Sequence, residues 1–196
     1  MAVEEGLRAT EESILDAANR CVARFGIRRT TVEDVAREAG VSRGSVYRYF
    51  KDKEAIVRAV VLRNMGAFFD DLRRRLDRKP SFEAKLAEAA VMARGYRETD
   101  PIYAGLAATE PETLAVLLTT RAEDFVRACI DFLIPYIAEA KASGELRGDL
   151  DEKRAAEWCV RMILSLITTP SPMFDVEDPV QVRRFIGDHL VKGLAP

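Results

Sequence analysis

Six side chains in one short stretch could do chemistry together: Ser42, Arg43, Ser45, Tyr47, Arg48 and Lys51. Hydroxyls, guanidinium groups, a phenol and an ammonium group can bond phosphate oxygens and base edges. They offer no nucleophile with a base at motif spacing. All six lie in the segment Val32 to Lys51, VEDVAREAGVSRGSVYRYFK. From Arg20 to Lys53 the chain carries nine basic and four acidic residues, an excess of five, although the whole chain has a net charge of −2. A solvated charged face would explain the excess as well as a nucleic-acid footprint does, so the spacing within the window must decide.

The elements that position these groups read as helices. Thr10, with Glu11 and Glu12 in the first turn, predicts a first helix over about Glu11 to Phe25. Its apolar face would be Ile14, Leu15, Ala18, Cys21, Val22 and Phe25, with Gly26 as the stop. Thr30 and Glu33 have capping-box spacing, predicting a short helix from about Thr31 to Ala39, ended by Gly40. Ser42 would cap a third helix, about Arg43 to Phe50. Val35, Ala39, Val41, Val46 and Phe50 can then close a three-helix core, with Ala36 small where two helices cross. The polar, basic and aromatic groups are left exposed on the third helix. Two short helices joined by a glycine turn inside a basic window suggest a helix-turn-helix.

This pattern resembles the tetracycline-repressor (TetR) family of bacterial regulators. The resemblance is carried by Ile14-Leu15-Asp16-Ala17-Ala18, Phe25-Gly26 and Thr30-Thr31-Val32. It continues through Ala36 to Ser42 and Ser45 to Glu54, and covers about a quarter of the chain. It implies a dimeric DNA-binding repressor with a three-helix head, 1–51, and a larger helical effector and dimerisation domain, 52–196. Carried over by position, the DNA-contacting set is Thr30, Thr31, Ser42, Arg43, Gly44, Ser45, Tyr47, Arg48 and Lys53. Arg43 is the expected reader of a guanine edge, and Lys53 the expected phosphate contact. Arg48 stands where many relatives carry a histidine or an aromatic residue.

Beyond position 52 only helices are expected, about nine in the whole chain, so the fold class is all-α. Asp52 caps a long fourth helix with a stripe of Leu62, Met65, Phe69, Leu72 and Leu76. Ser81 caps the next, and Asp100-Pro101 opens a short one. Pro111 opens a region reaching about Ala142, divided near Thr119-Thr120 and kinked at Pro135. Asp151 caps a helix to about Thr168. The last runs from about Val180 to Lys192, stopped by Gly193. A ligand cavity between such helices would draw on Phe69, Met92, Tyr96, Tyr103, Phe125, Cys129, Met162 and Ser165. Those residues favour an apolar or amphipathic small molecule, with Tyr96 and Tyr103 as polar handles. Trp158, Met162, Phe185, His189 and Leu190 are the expected dimer contacts.

Composition removes other classes. With 48% apolar and 32% charged residues, the chain of 196 residues reads as globular. No apolar run approaches the length of a spanning helix, and the candidate Met162 to Ile167 is far too short. Two acids near the N-terminus argue against a signal peptide, so a cytoplasmic protein is expected. Three separated cysteines and a single histidine, His189, leave no metal cluster and no cofactor to expect. A helical enzyme, a ligand-independent regulator and an activator are the competing readings.

Overall fold

The computed structural model describes residues 2–195. Among them there is no strand, and ten α-helices follow one another. These are α1 (Ala2–Arg29), α2 (Val32–Ala39), α3 (Arg43–Tyr49), α4 (Lys53–Leu76), α5 (Phe82–Thr99), α6 (Pro101–Thr109), α7 (Pro111–Leu118), α8 (Glu123–Ala142), α9 (Glu152–Thr168) and α10 (Pro179–Phe185). The tenth arises because the region after Pro111 is divided at 119–122. The chain forms two compact units: Met1–Phe68 with Arg97–Leu114, and Phe69–Tyr96 with Ala115–Pro196.

In the first unit, α1 is longer than its signals suggest. The Thr10 hydroxyl does not cap; it donates back to the Gly6 carbonyl (2.9 Å) inside the helix. At the other end Gly26 (φ 79°, ψ 169°) kinks α1 rather than ending it, and one further turn reaches Arg29. The core beneath holds Ile14, Ala18, Val22, Val35, Ala36, Val46 and Phe50, as the patterning calls for, and α4 adds Ile56 and Val60; the expected Ala39 and Val41 are only partly buried against it. Phe25 is not part of it: the ring is exposed, with the Arg24 guanidinium 5.0 Å above it.

The first unit contains a wall that a boundary at residue 52 leaves out. Helix α6 buries Ile102 and Leu106 in the same core. It lies so close to α1 that a Cβ on Gly105 would sit 2.4 Å from the Ala23 carbonyl oxygen. Asn64 ties three helices together. Its amide donates to Asn19 on α1 (3.1 Å) and to Asp100 (3.0 Å), whose other oxygen caps α6 through the Tyr103 N–H (2.7 Å). The expected stripe on α4 is also only partly right. Leu72 and Leu76 are buried, but Leu62 is exposed; Ile56 and Val60 take the inward positions of its first half.

In the second unit, α8 continues through Pro135 as one helix. It buries Leu133, Tyr136 and Ile137, and α9 buries Ala155, Ala156, Cys159 and Val160. Asp151 caps α9, accepting the Arg154 N–H (2.9 Å). Arg94 of α5 is buried and donates to the Leu166 carbonyl (2.7 Å), satisfying an acceptor at the end of α9. Its guanidinium also pairs with Glu177. The expected last helix changes form. After α10 the chain widens into a π turn, Ile186–Leu190, and then tightens into a 3₁₀ turn, Val191–Gly193. Ile186 and Leu190 are both buried in the π turn. Gly187 sits where a Cβ would approach the Glu83 carboxylate to 2.6 Å.

Candidate nucleic-acid interface

Helix α2 begins one residue later than the expected capping box. Thr31 is the N-cap: its hydroxyl accepts the Asp34 N–H (3.2 Å), and Asp34 returns the bond by accepting the Thr31 N–H (3.1 Å). The Thr31 hydroxyl, which donates to the Asp34 carboxylate (2.6 Å), and then the Thr31 N–H hold that carboxyl below its ordinary range. Thr30 is only 1% exposed, and its hydroxyl donates to the Gly26 carbonyl (2.7 Å) at the kink. Both threonines have an acid three residues on, and the Gly26 carbonyl at the kink, which accepts both the Thr30 N–H (3.3 Å) and the Thr30 hydroxyl, decides between them. The Thr30 side chain is therefore spent inside the molecule.

The turn is built as its residues require. Gly40 takes φ 68°, ψ 26°, and the Val41 N–H reaches back to the Ala36 carbonyl (3.0 Å). Ser42 caps α3, accepting the Ser45 N–H (3.0 Å), and its hydroxyl lies 3.0 Å from that of Ser45. With Val46 fully buried, α3 leaves its other side to solvent. Ser42, Arg43, Gly44, Tyr47 and Arg48 are exposed there, and Ser45 is half-buried.

The cations on this surface are organised rather than loose. Arg43 forms an ion pair with Glu33 of α2. It also donates to the Tyr47 hydroxyl (3.2 Å) and lies 5.4 Å from the centre of that ring. Arg48 lies over Tyr49 (5.9 Å). Three of the four acids in the basic window are paired: Glu33 with Arg43, Asp34 with Arg37, and Glu38 with Arg20. Lys53 has a second role that its sequence position did not suggest. Its ammonium donates to the Ile27 (3.0 Å) and Arg28 (3.3 Å) carbonyls, closing the end of α1.

Glu110 was missed by reading the sequence. It is buried behind the same end of α1, where it accepts the Arg28 N–H (2.7 Å) and pairs with the Arg28 guanidinium (3.3 Å). Burial alone would push this carboxyl up. The bonds from Arg28 and Thr113 outweigh it and hold the group below the usual range. An open cavity of about 440 Å³ lies here, lined by Phe25, Arg28, Arg29, Thr109 and Glu110. None of the expected ligand residues lines it.

Seven of those ligand candidates, Phe69, Met92, Tyr96, Phe125, Cys129, Met162 and Ser165, fall in the second unit. Tyr103 does not: it belongs to the first unit, on α6, beneath the Arg97 guanidinium (5.9 Å). Ser165 is exposed. Phe69 stacks on Phe132 (4.9 Å), a partner the sequence reading passed over. Desolvation pushes the Cys129 and Cys159 thiols up to about 12, so both stay neutral. Of the expected dimer contacts, Trp158 is 46% exposed, His189 is exposed, and Met162 and Phe185 are half-buried. Leu190 is buried within its own chain and cannot offer its side chain to a partner. Among the described residues no helix is long and apolar enough to cross a membrane, and no cluster of His, Cys, Asp and Glu could hold a metal.

Residues 14–60 match the family described as bacterial regulatory proteins, tetR family. The chain is 25% identical over 181 residues to a fatty acid metabolism regulator protein of Bacillus subtilis, covering 92% of this chain and 93% of that one. In three dimensions it is similar to the transcriptional regulator FadR from Bacillus subtilis, solved in complex with stearoyl-CoA. That match has a TM-score of 0.67 and 23% identity, over 93% of this chain and 98% of the other. It is also similar to AibR, solved with isovaleryl coenzyme A and operator DNA, with a TM-score of 0.57 and 17% identity over 95% and 98%. The capped α2, the glycine turn and the exposed face of α3 lie inside the matched segment, and it is through these residues that the chain is similar to the tetR family of bacterial regulatory proteins.

Proposed function

We propose that the protein is a homodimeric repressor that binds a two-half-site operator and is released by a small amphipathic acyl-CoA thioester. The observation that carries the DNA reading is the exposed face of α3, which gathers Ser42, Arg43, Gly44, Tyr47 and Arg48 on a helix whose other side is core. Ser45 and the cap residue Thr31 complete the contact set. Thr30 is left out because its side chain is buried. Lys53 acts first by holding α1, from which it adds positive charge near a phosphate. The half-sites would lie about 34–36 Å apart, one turn of DNA. The regulator would act in the cytoplasm.

The effector class rests on the relatives solved with stearoyl-CoA and isovaleryl coenzyme A. It is consistent with the apolar side chains that the second unit offers for a proposed lining, Phe69, Met92, Phe125 and Met162, with Tyr96 as the proposed polar handle. Dimerisation rests on the exposed indole of Trp158 beside Met162, with Phe185 and His189 on the C-terminal turns. Tryptophan is enriched at the centres of interfaces. Coupling is available in the chain itself, since the division between the two units falls within α4, α5 and α7.

The test is selection of a preferred duplex from a random pool by the purified full-length protein, followed by acyl-CoA titration. Arg43→Ala should lose about 1–3 kcal/mol on the selected duplex and relax preference at one base pair. A ligand that releases DNA tenfold carries about 1.4 kcal/mol of coupling, and saturating duplex must weaken acyl-CoA binding by the same factor. Equal acyl-CoA affinity with and without duplex would reject the effector class. No preferred duplex at all would reject the DNA reading.

A further inference from the structure

We propose that Glu33 is a specificity-determining positioning residue: it holds Arg43 along α3, away from the phosphate backbone, so that Arg43 adds to sequence reading and not to non-specific grip. The inference rests on the DNA reading of α3. Arg43 is the first residue of α3 and Glu33 the second of α2, so the pair spans the turn of the motif. The guanidinium is engaged on three sides: by the Glu33 carboxylate, by the Tyr47 hydroxyl at 3.2 Å and by the Tyr47 ring at 5.4 Å. Tyr47 is one turn further along the same helix, which lays the long side chain against α3. Glu33 is not needed to start α2, because Thr31 and Asp34 already complete that capping box.

Non-specific affinity follows the number of cations delivered to phosphates, whatever the sequence. An arginine paired with a carboxylate delivers none. A guanidinium fixed along the reading helix can still meet two acceptors on one base edge, which occur only at the right sequence. The pair can be surrendered there, because both side chains are more than half exposed and ion pairs of that kind are weak. Without Glu33, the arginine can swing to the nearest phosphate on any duplex.

The experiment uses the full-length protein, the duplex selected by the wild type and a scrambled duplex of equal composition, across about 50–200 mM salt. Glu33→Gln should tighten the scrambled duplex by up to about fivefold, the range open to an exposed ion pair. Its salt slope should steepen by about one phosphate contact. The selected duplex should change by much less, so discrimination falls. In an Arg43→Ala background Glu33→Gln should do nothing, and the melting temperature should not move. An equal gain on both duplexes would make Glu33 a source of general repulsion, and overturn the proposal. So would the same gain without Arg43, or a clear loss of thermal stability. If Arg43→Ala leaves the selected preference intact, the reading of α3 fails with it; if only the Glu33 arms fail, that reading stands.

Discussion

Helices α3 and α9 each present a large aromatic side chain to solvent, and they do it differently. On α3, Tyr47 is 43% exposed among groups that donate hydrogen bonds, and the arginine beside it is paired with an acid from another helix. On α9, Trp158 is 46% exposed, and two charges of the same helix, Glu157 and Arg161, are paired with each other (2.6 Å). The second arrangement neutralises its charges locally and leaves the indole as the available feature. The first keeps cations and hydroxyls on display. Equal exposure of an aromatic ring therefore says little about the partner. The chemistry of the groups around it separates a surface suited to phosphates and base edges from one suited to another protein.

That contrast implies that the two faces can be broken separately. The largest effect should come from Gly105→Val, which forces side-chain atoms against the Ala23 backbone and leaves α6 no room on α1. A cost of about 3 kcal/mol is expected. Calorimetry should show the first unit melting early and DNA binding lost. Sedimentation should still show self-association through α9. Loss of both together would mean that the faces are not independent.

Trp158→Ala is the converse. Truncating a central interface tryptophan costs about 2 kcal/mol or more, roughly a thirtyfold loss of self-association. Light scattering should detect it with the melting of the first unit unchanged. If the variant associates as the wild type does, Trp158 belongs to some other surface.

Lys53→Ala should cost about 1 kcal/mol, because two carbonyls at the end of α1 lose their donor. The loss should appear in the melting curve without DNA present. A variant that keeps its stability but shows a reduced salt slope would return Lys53 to a purely phosphate-contacting role.

Glu110 gives the smallest effect and sets its pH dependence. Its native pKa lies below its unfolded value, so the carboxylate stabilises the fold above about pH 4.3. That contribution fades as pH falls through the native value. Glu110→Gln should therefore be less stable than the wild type near pH 7, with the gap closing in acid. A gap that persists unchanged at low pH would mean that shape, not charge, matters there.

The parts of the molecule that were readable from sequence are those where local chemistry and periodicity agree. Gly40, Ser42, Val46 and Phe50 each answer a local demand of the turn or the core, and all occupy the expected places. The misreadings came where a distant group decided. Thr30 and Thr31 are equivalent caps until the Gly26 carbonyl at the kink claims the first. Lys53 carries a structural role that its position hides, because the end of α1, twenty-five residues earlier, takes its ammonium group. Gly105 carries no local signal for its contact with Ala23, and Tyr103 follows α6 into the first unit for that packing reason. Phe25 keeps the helical spacing of a core residue, yet the chain kinks immediately after it.

The placement of α6 has a consequence for how the protein is made. During synthesis the reading helix, complete at Tyr49, leaves the ribosome some sixty residues before α6 ends at Thr109. At about 5–20 residues per second, that is an interval of several seconds. Throughout it the apolar side of α1 awaits Ile102 and Leu106, which complete its cover. The segment proposed to read DNA is thus born early and matures late. A nascent chain halted between these points would be a substrate for chaperones and proteases before it could be a competitor for the operator.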